Sequence, residues 1–142
     1  MLDDPRIKRV LKRYRKGERF FDASMDVSAY GDIALLTACR CEQVEDIADP
    51  RELDEYALEY FAGLLETVFD TSQFDYFLHS YIRSEFVDSY FDDPTVTSFL
   101  SPENGPPSKI SLEKGLRWCA VRPKDGRERY EAFPIEDLDE EP

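Results

Sequence analysis

The run of large apolar residues between Asp49 and Phe91 constrains this chain more than any other feature. Leu53, Tyr56, Ala57, Tyr60, Phe61, Leu64, Leu65, Val68 and Phe69 recur at three- and four-residue steps, a spacing that lines one face of a helix. Asp49-Pro50-Arg51-Glu52 supplies a start: a capping carboxylate, a proline whose missing N–H costs nothing at the first helical position, and an acid in the first turn. The spacing predicts a helix over about 50–69. Asp70-Thr71-Ser72 restarts the chain, and Phe74, Phe77, Leu78, Tyr81, Ile82, Phe86 and Tyr90 form a second stripe. So short a link makes the two segments antiparallel, and residues 49–91 are expected to be a helical hairpin. Twelve of the 19 aromatic residues lie between Tyr56 and Phe99, which centres the core here.

The flanking segments follow the same rules. Asp4 and Pro5 open a predicted N-terminal helix over 1–17, with Ile7, Val10, Leu11 and Tyr14 as its apolar stripe and Gly17 as its stop. Residues 19–42 read as a β-hairpin, with Met25, Val27 and Ala29 alternating before Gly31-Asp32, and Ile33, Leu35, Thr37, Cys39 and Cys41 after it. Its rival is a helix from about Asp32 to Ile47, favoured by the Ala and Leu content. Residues 92–108 hold Asp93-Pro94, Ser101-Pro102 and Asn104-Gly105-Pro106-Pro107 and read as a loop pinned by Val96, Phe99 and Leu100. A short strand is expected at Lys109–Leu112. A second hairpin follows, turning at Pro123-Lys124-Asp125-Gly126, with Trp118, Tyr130 and Phe133 on or beside it. The expected fold is one α+β domain over 1–134, a two-layer sheet with helices on one face. Residues 135–142 are expected to be an acidic, flexible tail.

The formal net charge of −13 conceals an asymmetry. Residues 1–19 hold eight basic and three acidic groups; the rest of the chain holds 10 basic and 28 acidic ones. An acidic body repels nucleic-acid backbone and anionic membrane and attracts basic surfaces. A solubilising surface is the plainer explanation of the same numbers; halophilic adaptation is another, which the many aromatics and three cysteines fit less well. Three cysteines, an odd number without disulfide-framework spacing, fit a reducing, cytoplasmic location. The longest apolar runs are only a few residues, too short to span a membrane.

Little in the residues points to catalysis. Cys39, Cys41, Cys119 and the single His79 lack zinc-site spacing, and His79 is expected on the polar edge of a helix, away from any cysteine. Asp22, Asp26 and Asp32 could converge on a divalent ion, which would make a small metal-dependent hydrolase, but no calcium-loop pattern is present. No glycine pattern cradles a phosphate, so no cofactor is expected. Two binding surfaces remain. One is the acidic helical face of Glu52, Glu55, Glu59, Glu66, Asp75, Glu85 and Asp88, suited to a basic protein surface. The other is the basic face of Arg6, Lys8, Arg9, Lys12, Arg13 and Lys16, suited to nucleic acid. The leading expectation is an acidic, non-catalytic interaction module: a regulator, adaptor or mobile-element or phage-encoded inhibitor. An exposed part of the aromatic stripe would support a homodimer.

Overall fold

The computed structural model describes residues 2–97, 99–103, 118–124 and 129–134. It combines helices with a largely antiparallel sheet, the α+β class expected. The elements run β1 (Ile7–Arg15), β2 (Phe21–Asp26), α1 (Asp32–Cys39), β3 (Arg51–Glu52), α2 (Glu55–Leu65), β4 (Phe74–Ile82), α3 (Val87–Phe91), β5 (Ser101–Pro102), β6 (Cys119–Lys124) and β7 (Arg129–Pro134). The sheet order is β3-β4-β1-β2-β6-β7, with β5 parallel beside β4 and every other pairing antiparallel. The expected strand at 109–112 and the tail at 135–142 lie outside the described residues.

Two predicted helices are strands. Residues 7–15 form β1, which pairs along its whole length with β4 and on its other edge with β2. The supposed helical stripe divides between two sheet faces: Ile7, Arg9, Leu11 and Arg13 alternate with Lys8, Val10, Lys12 and Tyr14. A central strand is covered on both sides, and the long stems of its cations supply apolar contact that a charge count hides. Gly17, at φ 80°, turns the β1–β2 connection instead of ending a helix.

The second half of the expected helical hairpin is β4. Phe74, Tyr76, Leu78, Ser80 and Ile82 are all buried, while Asp75, Phe77, His79 and Tyr81 between them are half-buried. The aromatic and branched residues of this stretch suit a pleated surface covered on both faces. Helix α2 does form, but it is shorter than its apolar stripe. Asp54 caps it, accepting a 2.9 Å bond from the Ala57 N–H. Arg51 and Glu52 are drawn away to pair with β4 as β3. The helix ends at Glu66, whose left-handed backbone (φ 51°) breaks the repeat.

Residues 19–42 mix both readings. Met25 and Val27 are buried as the strand reading expects, with Ala23 buried before them, but β2 ends at Asp26 and Ala29 sits half-buried in the Ser28–Tyr30 turn. Gly31 then opens α1 instead of turning a hairpin, with φ 88° that disfavours a side chain. The C-terminal hairpin is present as β6 and β7, with Cys119 opposite Pro134 and Pro123 opposite Tyr130. Leu100 is buried and Val96 packs beside it, but Phe99 is 95% exposed and pins nothing.

The main core joins Leu11, Met25, Tyr76 and Leu78 of the sheet to Leu35, Ala38, Ala57, Leu58 and Phe61 of α1 and α2. At its margin lies a buried ion pair. Arg9 Nε donates to Asp32 Oδ1 at 3.2 Å, with Arg9 only 3% and Asp32 only 5% exposed. Arg9 Nη1 also donates to Ser80 Oγ at 2.5 Å, and that hydroxyl donates to the Ile47 carbonyl at 2.8 Å. Asp3 and Asp32 exchange backbone-to-carboxylate bonds of 2.9 and 2.8 Å. The network ties the amino end, β1, α1, β4 and the Val44–Ile47 turn together.

Removing one partner of such a pair strands the other charge in a place water cannot reach. Asp32→Ala is expected to lower the unfolding free energy by about 3–5 kcal/mol. Arg9→Met combined with Asp32→Leu recovers most of that loss. Urea-denaturation midpoints of the three proteins check the order.

Candidate functional site

The end of the sheet where β4 begins meets α2 in an open groove of about 820 Å³. Its floor is apolar, with Leu53, Leu58, Phe69, Phe74 and Tyr76 contributing. Val68, 88% exposed, stands at its margin. Glu52, Glu55, Glu59 and Asp75 line it as well, against the single cation Lys16. Lys16 is spoken for by Asp75, at 2.9 Å. Among the described residues Glu52, Glu55 and Glu59 are exposed and enter no ion pair. The local fold explains the placement. β3 pairs with β4 at Glu52–Phe77 and so sets Glu52 at the groove, while Glu55 and Glu59 stand one turn apart on α2.

The acidic residues named from sequence therefore separate into two groups. Glu52, Glu55, Glu59 and Asp75 come together around the groove. Glu66 closes α2 at its C-terminal end, outside the groove lining, and Glu85 and Asp88 lie beyond β4, in the Ser84–Phe86 turn and α3.

The basic residues do not form one face. Arg6 pairs with Asp4 and Asp93, Lys8 with Glu103, Arg9 with Asp32, Arg13 with Asp22 and Lys16 with Asp75. Lys12 is the exception, enclosed by rings instead of carboxylates. The three aspartates considered as metal ligands are likewise apart: Asp22 holds Arg13 and Arg15, Asp26 accepts from the Ser28 N–H, and Asp32 holds Arg9. Among the described residues no three His, Cys, Asp or Glu side chains gather as a metal site. Burial pushes the Cys39 thiol up to about 11, with the charge of Arg51 opposing the shift. Trp118 packs on Phe69 and Tyr76, with ring centres 6.2 and 5.8 Å away. No helix among the described residues is long and apolar enough to cross a membrane.

A second cluster, missed by the helical reading, lies on the opposite sheet face from the main core. His79 is not at a helix edge but in the middle of β4, stacked beside Tyr81 with ring centres 5.9 Å apart and planes 10° apart. Tyr14 lies on its other side at 6.4 Å. Lys12 places Nζ 4.0 Å from the Phe21 ring centre and 4.7 Å from that of Tyr81. Its Nζ donates to Tyr81 Oη, which lies 3.1 Å from His79 Nδ1. Burial, reinforced by the charge of Lys8, lowers Lys12 to about 8. Burial, reinforced by Lys12, lowers His79 to about 4. The period-two series Lys8-Val10-Lys12-Tyr14 and Phe77-His79-Tyr81 is the signal that would have located the cluster.

The depressed histidine has a sign. The unfolded chain takes up a proton near 6.5, whereas the folded protein waits until about 4. Folded-state stability therefore falls as pH drops through this window and is unaffected by His79 above it. Partial exposure reduces the effect to about 1–2 kcal/mol. His79→Gln is expected to lose correspondingly less stability than the parent between pH 6.5 and pH 4, read from paired thermal melts.

No protein-family model, curated protein or solved structure matches this chain.

Proposed function

We propose that this protein is a binding module that receives a basic, apolar-anchored segment of a partner protein in the groove between α2 and the start of β4. One observation carries the reading. Glu52, Glu55 and Glu59 surround an apolar floor without cations of their own among the described residues. Unpaired surface carboxylates attract a basic partner at long range and fix its register, while the buried apolar contacts supply most of the affinity. The net charge of −13 extends the same attraction over the whole molecule. A chain that works by occupying a partner's basic surface needs no catalytic group, and regulator, adaptor and inhibitor are the roles such a surface serves.

A short synthetic peptide of alternating leucine and arginine is the direct probe. Its affinity, read by fluorescence anisotropy, is expected to fall as salt rises. Glu55→Lys with Glu59→Lys weakens it about tenfold or more, or about 1.4 kcal/mol. Glu85→Lys with Asp88→Lys, outside the groove but equal in charge change, weakens it far less. Equal affinity for both double variants, or no binding at low salt, would overturn the proposal. So would a dimer of the protein alone that Val68→Glu dissociates in sedimentation, because the groove would then hold a second copy.

A further inference from the structure

We propose that Lys12 is a carbonyl-reactive amine that condenses with a small aldehyde to an imine, with Tyr81 relaying protons and His79 holding the Tyr81 hydroxyl in place. The site is separate from the groove and does not depend on it. Three functional groups stand in series on one sheet face. Lys12 Nζ donates to Tyr81 Oη, and that hydroxyl lies 3.1 Å from His79 Nδ1. The order is chemically consistent. A neutral imidazole accepts the Tyr81 proton at Nδ1, which leaves the Oη lone pair to receive from the amine. Register explains the convergence: Lys12 and Tyr14 of β1 share a face with Phe77, His79 and Tyr81 of β4, strand beside strand.

Nothing anionic holds Lys12 among the described residues, whereas Lys8 pairs with Glu103 and Lys16 with Asp75. It lies instead over the rings of Phe21 and Tyr81. A lysine desolvated among apolar groups and beside another cation is the arrangement that frees an amine to act as a nucleophile near neutral pH. Lys12 is half-buried as a residue, not fully enclosed.

The step balances without an oxidant or reductant. The Nζ lone pair attacks the aldehyde carbon as the carbonyl π bond opens onto oxygen. One amine proton travels through Tyr81 Oη to that oxygen, giving a carbinolamine. The second amine proton takes the same route to the hydroxyl, which departs as water as the C=N bond forms. Tyr81 Oη passes on its own proton as it takes up each amine proton and so stays neutral, while the neutral His79 Nδ1, 3.1 Å away, keeps that hydroxyl in place.

The test uses the intact protein at neutral pH with benzaldehyde and sodium cyanoborohydride, which reduces any imine to a stable amine. Peptide mapping by mass spectrometry then compares the lysines. Lys12 is expected to be labelled about tenfold faster than Lys8 or Lys16, since the gain in free amine outweighs its reduced basicity. Tyr81→Phe, which keeps the ring, slows labelling at Lys12 without changing it at Lys8 or Lys16. Even labelling across the lysines, or the slowest labelling at Lys12, overturns the proposal with the parent protein alone. Unchanged Lys12 labelling in a folded Tyr81→Phe protein removes the relay and with it the proposal as stated.

Discussion

The Arg9–Asp32 pair is the contact on which the architecture turns. Each charge is paired in a place too enclosed for water to solvate it. The arginine comes from the middle of the sheet and the aspartate from the first turn of α1. Ser80 and the Ile47 carbonyl extend the same chain of bonds to β4 and the turn before β3. A hydrophobic core tolerates small slips of one element over another, but a guanidinium that must meet a carboxylate and a hydroxyl together does not. The pair thus fixes where α1 sits over the sheet.

The same logic explains what becomes of the chain's lopsided charge. The basic first segment is not displayed as a surface. Four of its eight cations, Arg6, Lys8, Arg9 and Lys16, meet acids contributed from distant parts of the sequence, Asp93, Glu103, Asp32 and Asp75. Folding therefore neutralises the basic end against the acidic body. The acids left over include those on α2 and β3, and this is why the groove there is negative without being a designed cluster of charge alone.

The sequence made some of this legible and hid the rest for physical reasons. The α2 cap-and-stripe pattern is local, and the helix formed where the stripe lies, shortened at both ends by β3 pairing and by the left-handed backbone of Glu66. The C-terminal hairpin is also local and pairs antiparallel as expected, although Pro123 and Lys124, expected in its turn, belong to β6. The central strands were not, because a strand covered on both faces loses its clean alternation. In β4 aromatic residues occupy both faces, so Phe74, Leu78 and Ile82 imitate a helical stripe as readily as Phe74, Tyr76 and Leu78 mark a strand. The acids of the groove were individually visible as residues; that Asp75 joins Glu55 and Glu59 while Glu85 and Asp88 do not depends on long-range pairing. The Lys12 cluster was invisible to a helical reading because its members lie on two strands far apart in the chain.

That long-range pairing also sets a timetable during synthesis. β4 receives bonds from β1, β3 and β5, and the whole of residues 16–73 is made between β1 and β4. While those residues emerge, at roughly 5–20 per second, the edge of β1 that β4 covers in the folded protein has no native partner. A nascent hairpin carrying Val10 and Leu11 on an unpaired edge is a ready template for a neighbouring chain. The cations threaded through that strand keep such encounters mutually repulsive until β4 arrives to close the seam.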